Sequence, residues 1–495
     1  MDANAALGEL LSRWRELWLL STTSALLGWD EETMMPAAGA EHRGEQLAMI
    51  AGLQHERVLD PRLEDLCARA LGASVDAAAQ VRVVRRAIER ARRLPRALVQ
   101  EQKRTYAAAQ RAWVEARQER SFSGFAPHLT RVVELKREEA RCLQHGDAPL
   151  WDGLLDEFEP GADARELCQL LQDLRAELVP LVQRAAGRTS GARLRGHFPR
   201  ERQRVLVEGV ARALGYDFHR GRIDVTTHPF CSTAGAHDVR VAIRYDEGAL
   251  WEALSSIVHE VGHALYEQGV PSTLLGTPAG EPESLGLHES QSRLWENQVA
   301  RGRAFWAHLL PLATHLFPDA LAGASLDEVF IAVNAVEPGA VRVGADETTY
   351  NLHICLRTEL EQALIGGALE VRDLPEAWRE GMQRTLGLVP RDDFEGVLQD
   401  GHWSAGMFGY FPTYTLGNLI AAQLFEAARA ALPDLDATMA RGHFEPLLGW
   451  LRAHVHLHGA LRPAARIVED ASGAPLSTRA FLAHLRARLA ETGQG

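Results

Sequence analysis

His259-Glu260-Val261-Gly262-His263 is an HExxH motif. On a helix, residues four apart share a face, so both imidazoles can reach one metal ion. Glu260 follows the first histidine and projects to the side, where it can hold a metal-bound water rather than the metal. Two imidazoles, a carboxylate base and an open metal position are what a zinc peptidase uses to activate water. Two histidines on one face of an ordinary helix remain the competing reading of the motif alone. The chemistry requires a helix, and Asp246 to Gly269 reads as one. Asp246 stands where an N-cap would, with Glu247 in the first turn. Leu250, Trp251, Leu254, Val258, Val261 and Leu265 recur at helical spacing, and Gly269 followed by Val270-Pro271 supplies a stop.

A catalytic zinc takes three protein ligands and keeps one position open. Beyond His259 and His263, the candidates are Glu281, Glu283, His288, Glu289 and Glu296. Glu281 and Glu283 lie in a Gly/Pro-rich stretch. His288-Glu289-Ser290-Gln291 opens a helix predicted to run through Val299, and a ligand on a helix is held more rigidly than one on a loop. That favours Glu289 without closing the alternatives. Two later stretches are rich in polar and aromatic residues, Val341 to Glu347 and Gly396 to Trp403, the second followed by Phe408 to Tyr414. Arg342 can clamp a carboxylate through two hydrogen bonds. On residue types alone, pairing with Asp346 four residues on, across a helix surface, is the stronger reading. His402 by itself reads as a hydrogen-bonded structural histidine.

The elements that must position these groups are mostly helical. Ala5 to Leu27, Gly44 to Gly52 and Leu63 to Leu71 show helical apolar spacing. Val81 to Arg93 carries many arginines and is expected to be a solvated helix face, since a polyanion-binding face sits poorly with the acidic total. Pro95 interrupts it. Strands are expected at Arg222 to Thr227, closed by His228-Pro229-Phe230, and at Asp238 to Tyr245, which alternates and leads into the motif helix. A zinc peptidase can hold substrate backbone against an edge strand beside that helix. Gly187 to Arg200 reads as a loop rather than a domain boundary. The expectation is one large helical domain over 1–495, with a small sheet beside the motif helix and a deep groove.

The 495 residues carry a net charge of −13, which disfavours nucleic acid as a partner. Hydrophobic content of 46% is ordinary for a globular chain, and no apolar run is long enough for a membrane span. The N-terminus lacks the basic and apolar regions of a secretory signal. Five scattered cysteines, none in CxxC, argue for free thiols in a reducing compartment, so a cytoplasmic location is expected.

With these motifs in view, the chain resembles the carboxypeptidase Taq family nearly end to end. Ala25 to Asp30, Thr33-Met34-Met35-Pro36, Arg43, Gln46 and Leu47 look like its N-terminal signature. His228-Pro229-Phe230 is similar to its HPF motif, and His288 to Gln291 to its HESQ motif. Arg342, Ala345 and Asp346 fit IRxxAD with Val341 in place of Ile. Gly396, Gln399, Asp400, His402 and Trp403 fit GxxQDxHW. One motif departs. In the family's DxRxT, Asp238 and Arg240 match, but Ala242 stands in the threonine position, removing a hydroxyl from what is expected to be an edge strand.

The resemblance implies a mainly α fold related to neurolysin and angiotensin-converting enzyme, with N-terminal helices, about residues 1–80, covering the groove. It implies a homodimer that removes C-terminal residues one at a time from peptides with a free C-terminus, with broad specificity but poor action at Pro. It implies zinc, replaceable by cobalt, on His259, His263 and Glu289, and Glu260 as base. Arg342 would anchor the substrate carboxylate, helped by Arg240. Tyr410, helped by His402, would donate to the oxyanion, with Tyr414 as the alternative tyrosine, and His402 and His228 would contact substrate backbone. An endo-oligopeptidase on a related fold and a catalytically silent binding protein with a structural metal are the rival readings.

Overall fold

The computed structural model describes residues 1–495, the side chain of Arg193 excepted. Helices run from Ala3–Thr33 at one end of the chain to Arg479–Glu491 at the other, around one three-stranded sheet. The apolar side chains gather into three clusters. One holds the motif helix (Leu250–Gly269) together with the Arg200–Leu214 and Arg303–Leu316 helices. A second holds the helices Ala126–Leu143, Ala164–Ala185 and Glu347–Gly366, and the aromatic residues Trp403, Phe408 and Phe411. The central helix, Pro412–Ala431, belongs to both. Its Leu419 and Ala422 face the second cluster, while Ile420, Ala421 and Leu424 face the first. A helix walled on both sides has little polar surface to show, which is why this one is apolar almost all round.

The third, smaller cluster joins Ala6, Leu10 and Leu17 of the first helix to Leu66, Val84 and Ile88. The first helix runs well past the predicted Leu27, to Thr33, because no breaker intervenes before Pro36. Its far end meets the sheet: Trp29 packs on Phe230 with ring centroids 5.1 Å apart, and Thr226 donates to the Glu32 carbonyl. The arginine-rich helix, Val75–Arg93, does not present the expected solvated face. Arg82 pairs with Glu283 and Arg86 with Asp156, while Arg90 reaches Glu139 and Glu157 at 2.8 and 2.6 Å. These partners lie 49 to 201 residues away in sequence, so helical periodicity could not reveal them. The row ties the N-terminal helices to the rest of the chain. Pro95 separates this helix from the next, Arg96–Glu119, as expected.

The sheet corrects two expectations. Strand β1 (Ile223–Val225) pairs parallel with β3 (Asp238–Ile243), and β2 (Phe230–Gly235) pairs antiparallel with β3. The order β1-β3-β2 makes β3 the central strand, not an edge. Ala242 is therefore fully buried between paired neighbours, and the hydroxyl missing there is missing from the core. Strand β2 follows directly on His228-Pro229 and has no apolar alternation to announce it. The hairpin between β2 and β3 closes through His237, which takes a positive φ of 62°, a left-handed conformation that histidine adopts more readily than most non-glycine residues.

The motif helix starts at Leu250, later than predicted. Asp246 makes a local turn to the Gly248 amide instead of capping, and Glu247 accepts from the Arg200 amide. The ligand helix, Leu285–Arg293, is capped by Ser284 and continues into a π-helical turn, Leu294–Ala300. It is pressed between the motif helix and the central helix, with a glycine at each crossing. A Cβ on Gly262 would lie 2.6 Å from Ser292 Cα and 2.7 Å from the Gln291 carbonyl oxygen. A Cβ on Gly417 would lie 2.6 Å from Glu289 Cγ. Backbone atoms cannot step aside as a flexible side chain can, so Gly262 sets how closely the two helices approach.

Two predictions follow from this packing. Gly262→Ala should cost roughly 1–3 kcal/mol by forcing the helices apart, and it should weaken metal binding in the same protein. Normal melting and normal metal affinity together would show that the crossing is loose. The second concerns Glu159, which accepts hydrogen bonds from the Ser284 hydroxyl and the Gly286 amide at the start of the ligand helix. Burial pushes its carboxyl up to about 7 from an ordinary 4.5. The stabilisation from its protonated form is full below about pH 4.5 and lost as pH rises through about 7. Glu159→Gln cannot titrate, so its melting temperature relative to the parent should climb between about pH 5 and about pH 8. A difference that stays flat would mean the carboxyl is not held neutral by burial.

Candidate metal centre

The motif helix places His259 and His263 one turn apart, their ring centroids 5.0 Å from each other. The neighbouring ligand helix brings Glu289 to both. Glu289 Oε2 is 3.7 Å from His259 Nε2 and 3.3 Å from His263 Nε2. One ligand atom from each of the three residues lies within 4.8 Å of the others. Such spacing leaves room for a cation bonded at about 2.0–2.2 Å to each, as zinc-type sites require. The donor set of two imidazole nitrogens and one carboxylate oxygen fits that chemistry. The three side chains keep 18, 13 and 9% of their exposure, so the triad is reachable by solvent.

A ring of buried charge holds the triad in place. Glu296, from the π-helical turn, accepts at 2.9 Å from His259 Nδ1, fixing the ring so that Nε2 faces Glu289. Arg293 donates to Glu289 Oε1 at 2.7 Å and to Glu296 Oε2 at 3.1 Å, bridging the two carboxylates. π-helical turns concentrate at functional sites because the wider ring redirects side chains. Glu289 sits well below the usual carboxylate range: burial acts against this, but Arg293 and the two histidines outweigh it. Glu260 is buried on the same helix as the histidines. Burial pushes its carboxyl up to about 7, opposed by His259 and reinforced by the charges of Glu289 and Glu296.

Of the other candidates for a third ligand, none reaches the triad's position. His288 turns away to Glu267, 3.0 Å distant, and stacks on His263 at 4.4 Å. Glu283 is paired with Arg82, and Glu296 stands behind His259 rather than beside its Nε2.

A second group of polar residues comes from the side of the other apolar cluster. Arg342 is buried and does not pair with Asp346, whose carboxylate instead caps the Glu347–Gly366 helix. Its Nε and Nη2 donate to Asp400 Oδ1 at 3.1 and 2.7 Å, and its Nη1 to the Tyr350 hydroxyl at 2.8 Å. A guanidinium has five N–H donors, so two remain. Its face lies over Tyr414 at 5.0 Å. Asp400 also binds Arg357, which makes it the shared anchor of two arginines. Tyr350 links this group to the triad, since Arg293 stacks on its ring at 4.4 Å.

His402 Nε2 lies 3.1 Å from the Tyr414 hydroxyl, and the Tyr410 ring packs 5.3 Å from His402. Burial pushes the Tyr410 hydroxyl up to about 12, helped by the nearby charge of Glu289, so it stays a proton donor at neutral pH. Burial takes His402 down to about 4, so it is neutral there. Two residues stand apart. Arg240 donates through Nε and Nη2 to the two carboxylate oxygens of Asp238 at 2.9 and 2.8 Å, with Trp29 5.8 Å beneath it. His228 lies exposed in the turn between β1 and β2 and, among the described residues, bonds to none of the others named here. Sequence reasoning missed the bracing residues Arg293, Tyr350 and Arg357, which carry no motif chemistry of their own. The i, i+4 spacing of Glu289 and Arg293 was the available signal for one of them.

The match to known proteins is full-length. A profile of the carboxypeptidase Taq (M32) metallopeptidase family covers residues 9–489. Thermostable carboxypeptidase 1 of Thermus thermophilus is 45% identical, over 99% of each chain. Carboxypeptidase 1 of Bacillus subtilis is 36% identical over 94% of each. The crystal structure of the M32 carboxypeptidase from Deinococcus radiodurans R1 superposes with a TM-score of 0.95 at 41% identity, covering 99% of this chain and all of that one. Fold, metal-ligand geometry and full-length likeness agree that the chain belongs to the carboxypeptidase Taq (M32) metallopeptidases and is a peptide-bond hydrolase of that family.

Proposed function

We propose that this metallocarboxypeptidase releases single amino acids from peptides with a free C-terminus, using a zinc ion on His259, His263 and Glu289 and Glu260 as proton carrier. The observation that carries the reading is the convergence of both histidine Nε2 atoms on Glu289 Oε2, at 3.7 and 3.3 Å, with Glu260 on the intervening turn. Bound there, the metal supplies Lewis acidity toward water and the scissile carbonyl. Glu260, raised to about 7, is matched to accept a proton from water and return it to the leaving amine near neutral pH. Tyr410 donates to the oxyanion as charge develops, with Tyr414 and His402 steadying the same side. The two spare N–H groups of Arg342 bind the terminal carboxylate, aided from the sheet side by Arg240, and His228 lines the approach to the substrate backbone. An internal peptide bond offers no carboxylate at that place, which is the basis of exopeptidase selection.

Broad side-chain tolerance, weak action at Pro, replacement of zinc by cobalt and a homodimer rest on family likeness alone. The same reading takes the chain as a single helical domain, 1–495, whose N-terminal helices cover the groove. The contacts of Trp29 with Phe230 support that cover.

Metal exchange against a chelator tests the site. Glu289→Ala should abolish tight binding, and Glu296→Gln should weaken it about 10–100-fold by releasing His259. Unchanged affinity in both would remove the triad as the metal site. An N-blocked dipeptide, beside its C-terminal amide, tests the reaction. The free acid should be cleaved and the amide spared. Glu260→Gln should keep its metal and lose roughly 10²–10⁴-fold in kcat, while Arg342→Ala should lose the preference for the acid. Equal cleavage of acid and amide by the parent enzyme would favour an endo-oligopeptidase. Metal-loaded protein that cleaves neither these nor longer peptides would favour a silent binding protein.

A further inference from the structure

Glu361 is a fully buried carboxylate in the middle of the Glu347–Gly366 helix. Nothing in the chemistry above uses it. Its Oε1 accepts from the Trp403 indole N–H at 2.8 Å, and its Oε2 from the Gly409 amide at 3.0 Å. Trp403 directly follows His402, and Gly409 directly precedes Tyr410. One carboxylate therefore holds both ends of the segment that presents the two residues assigned to the oxyanion side.

The rest of that segment is short of regular structure. It runs through successive turns from Gly401 to Phe411, with positive φ at Gly406 and Gly409. At Gly409 the chain passes so close to Leu154 that a Cβ would lie 2.8 Å from its carbonyl group. The Trp403 ring stacks on Phe408 and meets Trp378 edge-on, both at 6.0 Å. Apolar stacking fixes the depth of the segment but not the angle of its ends. Directional bonds to a side chain on a rigid helix supply that. Trp151 lends Glu361 a further, weaker hydrogen-bonding contact, and the cation that acts on it, Lys136, is paired with Glu139 at 2.6 Å. Burying a carboxylate without its own cation is costly, and burial pushes Glu361 up to about 7. A glutamine of the same shape would be cheaper to bury but could satisfy only one of the two donors, so a carboxylate is the group matched to holding both ends of the segment.

We propose that Glu361 is a positioning residue for peptide hydrolysis. It sets the orientation of Tyr410 and His402 toward the reacting carbonyl by accepting simultaneously from Trp403 and Gly409. A glutamine has only one accepting oxygen and must turn its NH2 toward the other donor. The inference rests on the oxyanion role proposed for Tyr410.

The test is Glu361→Gln in the metal-loaded, full-length enzyme, alone and with Tyr410→Phe. Alone, the variant trades a costly buried carboxylate for one unmatched donor, two opposing effects, so it should melt within about 5 °C of the parent at about pH 8. It should lose about tenfold to a hundredfold in kcat, the scale of a misplacement of about 1 Å, with KM changed by less than about twofold. A merely structural residue would lower stability and activity together. That outcome, or an unchanged kcat, overturns the proposal. In the Tyr410→Phe background, Glu361→Gln should cost less than about twofold more, because the group it orients is gone. If Tyr410→Phe is slow and the two losses multiply, Glu361 does not act through Tyr410, and the inference fails while the oxyanion reading stands. If Tyr410→Phe is as fast as the parent, the oxyanion reading itself is wrong and takes the role of Glu361 with it. As a check on fold, Trp403→Phe removes one donor while leaving an aromatic ring at that place. It should show a smaller loss of kcat in the same direction, and a parental kcat there counts against the proposal.

Discussion

The approach of two helices governs this site. His259 and His263 come from one helix and Glu289 from another, and they can share a cation only because Gly262 lets the helices meet backbone to backbone. The same closeness recurs on the opposite side of the ligand helix, where Gly417 lies against the stem of Glu289. The ligand helix is thus held from both sides over the very turn that carries its carboxylate. A methyl group at either crossing would be felt as displacement of Glu289, because interiors at crystal-like density transmit strain rather than absorb it.

Around that steric constraint sits an electrostatic one. Three acidic groups, Glu260, Glu289 and Glu296, are buried within a few turns of each other. Arg293 bridges Glu289 and Glu296, which lets them remain ionised, and leaves Glu260 without a partner of its own. Three carboxylates in one low-dielectric region are thereby pushed apart in proton affinity: two held below the usual range and one raised toward neutrality. The division suits the proposed site, in which one carboxylate would bind the metal, one orient a ligand and one carry a proton. The Arg342 side repeats the device with the signs reversed, as Asp400 serves two arginines at once. Its bonds aim Arg342 while leaving it donors to spend on an anion.

The two sides belong to different apolar clusters, and the central helix joins them by lending a face to each. The N-terminal helices form a third unit, fastened mainly through arginines rather than apolar area. The Glu139 and Glu283 side chains that two of these arginines meet are largely buried, and the first helix adds a separate contact at the sheet, where Trp29, Phe230 and Arg240 meet.

What the chain determined by itself is what depends on short range. The HExxH spacing puts two imidazoles on one helix face whatever surrounds them, the apolar repeat from Leu250 to Leu265 calls for a helix there, and Pro95 has to end one. The family motifs, each a short string, were legible for the same reason. Tertiary structure decided everything that needs two distant segments. Among five candidates only Glu289 faces both histidines, because its helix crosses at Gly262 and the other candidate on that helix, His288, turns away to Glu267. Arg342 finds Asp400, 58 residues on, rather than Asp346 beside it, because Asp346 is taken up in capping a helix. The arginine row is an internal clamp and β3 a central strand because their partners arrive from elsewhere in the chain. Periodicity records which face of an element is buried. It carries no record of what buries it, since burial by any neighbour leaves the same pattern of side chains.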